Sequence, residues 1–94
     1  MAATKARSKR LAAAGNIYGS PGGLTSLTVN NPTGGVLTVK LNNAITGTSN
    51  EVFQVTVPAN DFRHMNWTPP LNFSTGIRCG TLGSGLIVTG AYVD

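Results

Sequence analysis

The sequence is poor in the side chains that carry out chemistry. Its 94 residues include three Asp or Glu, one His and one Cys, against seven Lys or Arg. Acid–base and nucleophilic catalysis brings several such groups together in one site, and a zinc site needs three or four ligands. Cys79 and His64 are too few for either purpose. The sequence therefore predicts a protein that is not an enzyme and that holds no metal and no cofactor.

The single cysteine and the single histidine have structural interpretations. Cys79 has no partner for an intrachain disulfide, which suits a reducing cytoplasm. It lies in a strand-like run, where a free cysteine behaves as a small buried hydrophobic residue. His64 is expected on the surface of a strand, because no nucleophile lies near it in the sequence.

Long apolar runs are also missing. No run approaches the roughly 20 residues that span a bilayer, so the sequence predicts no membrane partner. A secretory signal needs an apolar stretch of roughly 7–15 residues after its charges, whereas Leu11 to Ala14 runs straight into Gly15. We expect a soluble protein that is not cleaved.

Positive charge is concentrated near residue 1. From Leu11 to Asp94, three basic residues balance three acidic ones, so this part is formally neutral. The first ten positions contain no acidic residue and four basic ones, which are Lys5, Arg7, Lys9 and Arg10. We predict that residues 1–14 form an extended basic arm that binds a partner; the alternative is a solvated tail.

A glycine-rich connector, residues 15–23, follows the arm. Ile17 and Tyr18 are its one apolar pair, and we predict that they contact the partner together with the cations. A protein partner is favoured over nucleic acid, because a β-barrel that binds nucleic acid usually adds aromatic stacking platforms and basic residues on its sheet. Here most aromatic residues fall at positions expected in the core, and residues 11–94 are formally neutral.

Residues 24–94 have the composition and spacing of an all-β domain. Glycine and threonine are the commonest types, at 12 residues each, and helix-forming residues are scarce. Turn clusters separate short runs of strand-like sequence at roughly 8–12-residue spacing. We predict a small antiparallel β-sandwich or jelly-roll-like barrel of about six to eight short strands. The runs are 24–30, 36–42, 51–57, 62–68, 76–81 and 85–93.

Details of these runs give further predictions. Pro69 and Pro70 are expected to end the fourth run, because proline cannot donate to a ladder, and Gly83 and Gly85 are expected to form a hairpin between the last two runs. In the final run, both sets of alternate residues are apolar, as in a strand that is covered on both faces. A body of this size has a marginal core, so we predict a homo-oligomer. Its predicted contacts are Trp67, Leu86, Val88 and Tyr92.

Several short motifs follow one another between Gly15 and Asp94: GNIYG, NNP, VPA, PPLNFSTGI and GSGLIVTGAY. In this order they resemble the small β-sandwich virion proteins that decorate or cement the capsids of tailed bacteriophages. The resemblance implies a non-enzymatic structural protein, often trimeric, that is assembled in the bacterial cytoplasm and sits on the capsid surface of the virion. Its implied partner is the major capsid protein. The resemblance implies nothing about the basic arm.

Two other functions stay open on the sequence alone. In the first, the protein is a receptor- or glycan-binding module of a head fibre or tail, and the Thr and Asn residues of 42–50 and 72–75 contact the ligand. In the second, the arm binds the phosphate backbone of a nucleic acid, with strongly salt-dependent affinity. In the decoration protein, the arm would instead lie along acidic surfaces of neighbouring capsid subunits.

Overall fold

Residues 7–93 are described by the structure, a computed structural model, and they form β-strands joined by turns and loops. The strands of this range are β1 (Arg7–Leu11), β2 (Gly15–Tyr18), β3 (Gly22–Asn31), β4 (Leu37–Asn43), β5 (Glu51–Val57), β6 (Asp61–Phe73), β7 (Ile77–Leu82) and β8 (Ile87–Val93). Within residues 7–93 there is no helix that is long and apolar enough to cross a membrane. The predicted small antiparallel all-β sandwich is confirmed.

The strands form two antiparallel sheets of four strands each. Sheet A has the order β1-β8-β3-β6, and sheet B has the order β2-β7-β4-β5. The pairing is nested, because β1 pairs with β8, β2 with β7, β3 with β6 and β4 with β5. Two four-stranded sheets wound in this way form a jelly roll.

The connection between β7 and β8 corrects the predicted hairpin. Gly83 to Leu86 do form a turn, in which the Leu86 N–H donates to the Gly83 carbonyl over 3.0 Å. However, β7 belongs to sheet B and β8 to sheet A, so the turn crosses between the sheets. The hairpin prediction is wrong because turn residues mark where the chain bends and carry no information on which strands then pair.

The core lies between the two sheets. The central strands β3, β8, β4 and β7 contribute most of its side chains, and the edge strands contribute fewer. Cys79 is fully buried in β7, which confirms its predicted role as a small hydrophobic residue. The buried core residues are Ile17, Leu24, Leu27, Val29, Val39, Leu41, Val57, Phe73, Ile77, Cys79, Leu86, Val88 and Tyr92.

A buried amide at the end of β3 fixes two turns at the same end of the sandwich. Asn31 is fully buried, and its Nδ2 lies 2.7, 3.0 and 3.1 Å from the carbonyl oxygens of Gly35, Val57 and Pro58. Its Oδ1 accepts from the Thr33 backbone N–H at 3.0 Å and from the Thr33 hydroxyl at 2.6 Å. One side chain therefore joins the β3–β4 turn to the end of β5.

A second buried amide holds the β4–β5 loop against sheet B. Asn42 Nδ2 donates to the carbonyls of Thr48 and Ser49 at 2.9 and 3.1 Å, and Oδ1 accepts from the Gly80 N–H at 3.1 Å. A Cβ at Gly80 would lie 2.8 Å from the Gly47 carbonyl oxygen and closer still to Asn42 Oδ1. The loop thus packs directly on a position of β7 that has no side chain.

Strand β6 continues through the two prolines that were predicted to end it. Pro69 and Pro70 lie in an irregular stretch between Asn66 and Leu71, opposite Thr25 of β3, where the register of the two strands shifts. Strand β6 is one of the two edges of sheet A, and among the strands of residues 7–93 it pairs with β3 alone. Proline is tolerated at such a position because its missing N–H falls on an edge or in a bulge.

The chain enters the sandwich earlier than predicted. Residues 7–11 form β1 of sheet A and residues 15–18 form β2 of sheet B, so the predicted arm (1–14) and connector (15–23) both contain strands. Residues 12–14 of the predicted arm form an exposed bend between β1 and β2, and residues 1–6, which include Lys5, lie outside the described residues. Strand β1 has a single apolar residue, Leu11, and β2 is only four residues long. Neither strand therefore shows the alternation of apolar and polar residues by which a strand is recognised in a sequence. Their partners β8 and β7 define them.

Candidate interaction surface at the edge strand

Strand β1 is an exposed edge strand with a regular backbone. It pairs with β8 in unbroken register, from Arg7 opposite Tyr92 to Leu11 opposite Val88. No strand of residues 7–93 pairs with its other side, and an edge of this kind presents N–H and C=O groups that can pair with another chain. Residues 7–10 are exposed, whereas Leu11 is half-buried against the core.

The cations of β1 lie on both faces of sheet A. Residues directly opposite each other in an antiparallel pair project to the same face. Arg7 and Lys9 stand opposite Tyr92 and Gly90, which are buried, so they lie on the core side at the open margin of the sandwich. Arg10, one residue further on, lies on the outer face. The strand therefore presents positive charge on both the core side and the outer face of sheet A.

Acidic side chains are remote from this edge in the described part of the chain. Strands β8 and β3, the two nearest β1 in sheet A, contain no acidic residue. Lys9 and Arg10 form no ion pair with any residue of 7–93. Two other cations are paired: Lys40 Nζ lies 3.7 Å from Glu51 Oε1, and Arg63 Nη1 lies 2.8 Å from Asp61 Oδ2.

A polar row crosses the outer face of sheet A from this edge. Arg10 stands opposite Thr89, Thr89 opposite Thr28, and Thr28 opposite His64 on β6. The Thr28 hydroxyl lies 2.6 Å from His64 Nδ1. The exposed position of His64 confirms its predicted place on a strand surface. This row is thus a polar strip across the outer face, with apolar residues of β8 on either side of Thr89.

Ile17 and Tyr18, predicted to contact a partner, contact the protein's own core. Ile17 is buried, and its Cδ1 would lie 2.9 Å from a Cβ at Gly90, so it fills the space that this glycine leaves between the sheets. Tyr18 is half-buried, and its ring stacks on that of Tyr92. The prediction is wrong for Ile17, because this residue belongs to a strand of the sandwich and is buried between the sheets. Tyr18 is half-buried, and its contact with a partner stays a prediction.

Three of the four predicted oligomer contacts are also in the core. Leu86 and Val88 have no exposed surface, and Tyr92 is 9% exposed. The prediction selected the alternate residues of the last strand that face the core. Both alternate sets are apolar, so the sequence does not show which set faces outward. The outward-facing apolar residues of β8 are half-buried on the outer face of sheet A, and they are Ile87, Ala91 and Val93.

Trp67 is the predicted oligomer contact that keeps some surface. It is half-buried on β6 and meets the ring of Phe53 on β5 edge to face, with centroids 5.3 Å apart and planes at 90°. Strands β5 and β6 are edges of sheets B and A, so this aromatic pair lies at the margin opposite β1 and β2. The homo-oligomer, with a trimer favoured, stays a prediction.

Two titratable groups in the described range have pKa values that are shifted by their surroundings. Burial raises the pKa of the Cys79 thiol to about 11, against the smaller opposing effect of the Arg78 charge, so the thiol is neutral at physiological pH. Hydrogen bonds from the Arg63 side chain and the Phe62 N–H lower the pKa of Asp61. Within residues 7–93, no three His, Cys, Asp or Glu residues come together as metal ligands would.

The polar loops considered for ligand binding are largely bonded to each other. Asn43 Nδ2 donates to Ser74 Oγ at 2.9 Å, and Asn43 Oδ1 accepts from the Thr75 N–H at 2.8 Å. Arg78 Nε donates to the Gly47 carbonyl at 2.9 Å. These side chains hold the loops in place. Residues 46–50 and Asn72, Ser74 and Thr75 are exposed, so both loops keep polar groups open to a ligand.

Comparison of the chain with models of protein families, with curated proteins and with solved structures gives no match. The candidate surface is therefore defined from the structure alone. It combines the cations of β1, the outer backbone edge of β1, with which no strand of residues 7–93 pairs, and the adjacent polar row. Sequence reasoning found the cations Arg7, Lys9 and Arg10. It missed the backbone edge and the row of Thr28, because both depend on pairings between distant strands.

Proposed function

We propose that this protein is a non-enzymatic structural component of a bacteriophage virion, which binds the capsid shell as a decoration or cement protein. The observation that carries the proposal is the cationic edge of β1: regular, exposed, and without acidic residues on the neighbouring strands. Such an edge suits attachment to an acidic surface of a larger assembly. The major capsid protein is the proposed partner.

The motifs that resemble phage decoration proteins support this reading through the sandwich. The segment Asn30-Asn31-Pro32 contains the buried amide that joins two turns, and Val57-Pro58-Ala59 supplies carbonyls that Asn31 binds. The motif Gly15–Gly19 includes β2, whose Ile17 closes the core. The resemblance thus concerns residues that shape the fold, and the cationic edge adds the means of attachment.

Attachment through exposed charges has a characteristic energetics. Each exposed ion pair contributes only about 0–1 kcal/mol and weakens with added salt. A shell presents many equivalent sites, and a protein that is itself oligomeric engages several of them at once, which multiplies weak contacts. Binding also stabilises the bound fold, because a partner that binds only the native state shifts the unfolding equilibrium.

The test is binding to shells of the major capsid protein from the same phage, with sedimentation and densitometry to measure occupancy. The double variant Lys9→Gln/Arg10→Gln is expected to bind about fivefold to tenfold more weakly. The matched control Lys40→Gln/Arg63→Gln removes the same number of charges elsewhere and is expected to bind like the unmodified protein. Heat resistance of the particles is expected to follow occupancy.

Equal occupancy of the two double variants would remove the β1 edge from the mechanism. Absence of binding by the unmodified protein, with retention on duplex DNA at low salt that follows the steep salt dependence of phosphate contacts, would favour the nucleic-acid alternative. Binding to host cells or glycans that both double variants retain would favour the receptor-binding alternative.

A further inference from the structure

The sheets have four edges within residues 7–93, and β1 differs from the other three. Strand β2 is four residues long and its register shifts, and β6 is interrupted by its two-proline stretch. Strand β5 is regular over residues 53–57 but contains no cation and one acid, Glu51. Short length, proline, bulges and charge are the usual protections of an edge against pairing with another chain. Of these four protections, strand β1 relies on charge.

Charge protects an edge against some partners and not against others. Two copies of β1 placed side by side would bring cation against cation, which is unfavourable across strands. An acidic strand in the same place would form favourable cross-strand pairs instead. The composition of β1 thus disfavours a second copy of itself and favours a partner of opposite charge.

The positions of the cations specify the partner further. Lys9 lies on the core side of sheet A and Arg10 on the outer side, and both stand on consecutive residues of one straight strand. A strand beside β1 presents consecutive side chains to opposite faces as well. Its acidic residues must therefore be adjacent in sequence to meet Lys9 and Arg10 together.

We infer that β1 binds an acidic, extended peptide segment, which adds to sheet A as a fifth strand beside β1. Main-chain hydrogen bonds to the outer edge of residues 8–11 supply the attachment, as in other cases of strand addition. A pair of adjacent acidic residues supplies the selectivity. The inference deepens the proposed function, on which it rests for the source of the segment: a chain terminus or loop of the shell protein.

The experiment uses the complete protein and the peptide Thr-Val-Glu-Glu-Val-Thr with blocked termini, and it follows backbone amide shifts by NMR during titration. Shifts are expected at residues 8–11 and not at 52–56 of the uncharged edge. Replacement of both Glu residues of the peptide by Gln is expected to weaken binding about fivefold. The Lys9→Gln/Arg10→Gln variant is expected to show the same loss, whereas the Lys40→Gln/Arg63→Gln control is not.

Two N-methylated peptides separate strand addition from attraction between charges. Alternate residues of a strand direct their N–H groups to the same neighbour. N-methylation of the odd-numbered residues of the peptide is therefore expected to change its affinity differently from N-methylation of the even-numbered residues. One pattern is expected to weaken binding about tenfold and the other to leave it intact. Equal affinity of the two methylated peptides, shifts confined to β5, or no binding would overturn the inference.

These outcomes are independent of the shell experiment. If the two methylated peptides bind equally but Lys9→Gln/Arg10→Gln still loses the shell, the proposed function stands and strand addition fails. If the peptide adds to β1 but the protein does not bind the shell, strand addition stands and the shell is the wrong partner.

Discussion

The ring of Tyr18 on β2 stacks on the ring of Tyr92 on β8, with centroids 4.6 Å apart and planes inclined by 21°. The contact joins sheet B to sheet A beside the edge strand, because Tyr92 is also the residue opposite Arg7 of β1. It therefore fixes the margin of the sandwich at which the cationic edge is presented.

Removal of either ring is expected to destabilise the fold, and the two effects are expected to be coupled. Tyr18→Leu and Tyr92→Leu should each lower the free energy of unfolding by about 1–3 kcal/mol, as for other buried large side chains. The double variant should lose less than the sum, with a coupling of about 0.5–1.5 kcal/mol from the ring pair. Urea unfolding of the four proteins measures this cycle. A coupling of zero would mean that the stacked geometry adds nothing to burial.

Asn31→Ala is expected to be among the more damaging substitutions of a polar residue. It removes the amide that donates to the carbonyls of Gly35, Val57 and Pro58. The Val57 carbonyl loses this donor at a buried position, whereas the Gly35 carbonyl keeps the Thr33 hydroxyl at 3.2 Å. The expected loss is about 2–4 kcal/mol, since each unsatisfied buried group costs about 1–3 kcal/mol. Asn30→Ala, next to it but exposed, is the control, with an expected change within about 0.5 kcal/mol. Thermal unfolding that shows the same shift for both would contradict the assigned role.

Gly80→Ala is expected to loosen the β4–β5 loop. The added Cβ would overlap Asn42 Oδ1 and would lie 2.8 Å from the Gly47 carbonyl oxygen, so one of them must move. Overpacking of this kind costs about 1–3 kcal/mol, and hydrogen exchange at the Gly80 N–H should accelerate. Gly34→Ala has no atom within 4 Å of its new Cβ and should change stability little. Slow exchange retained in Gly80→Ala would show that the loop is held in another way.

The neutral thiol of Cys79 gives the protein a specific sensitivity to alkaline pH. Its pKa is raised from 9.0 to about 11 in the folded state, so above pH 9 the unfolded chain loses this proton while the folded chain keeps it. Stability from this group is present below pH 9 and is lost as the pH rises through about 11. Urea midpoints measured from pH 8 to 11 should fall less steeply in Cys79→Ala, and thiol reagents should modify Cys79 only after unfolding. An identical slope in both proteins would argue against the burial of the thiol.

The sequence predicts where the strands of this fold lie better than it predicts which strands pair with each other. The run 51–57 is reproduced residue for residue in β5, because Phe53, Val55 and Val57 alternate with polar residues. Buried Cys79 and exposed His64 also follow from residue type and parity. These properties depend on a few adjacent residues, so a local pattern is sufficient to reveal them.

The errors concern properties that depend on distant pairing. Strand β1 has no apolar alternation and exists as a strand through its pairing with β8. The parity of β8 was assigned wrongly, since only the position of sheet B decides whether Val88 or Ile87 faces the core. For the same reason the cations of the candidate surface were visible in the sequence, whereas their distribution over two faces of an open edge was not.

The nested pairing has a consequence for synthesis of the chain on the ribosome. Among the described strands, β4 and β5 are the consecutive pair that can form a ladder as soon as both have left the ribosome. Each further pair encloses a longer loop, whose closure costs more entropy, and proteins dominated by such distant contacts fold slowly. Strand β1 is made before the other strands but has to wait for β8, which is made after them. Throughout translation its cations are therefore carried on an unpaired strand, open to any acidic chain nearby.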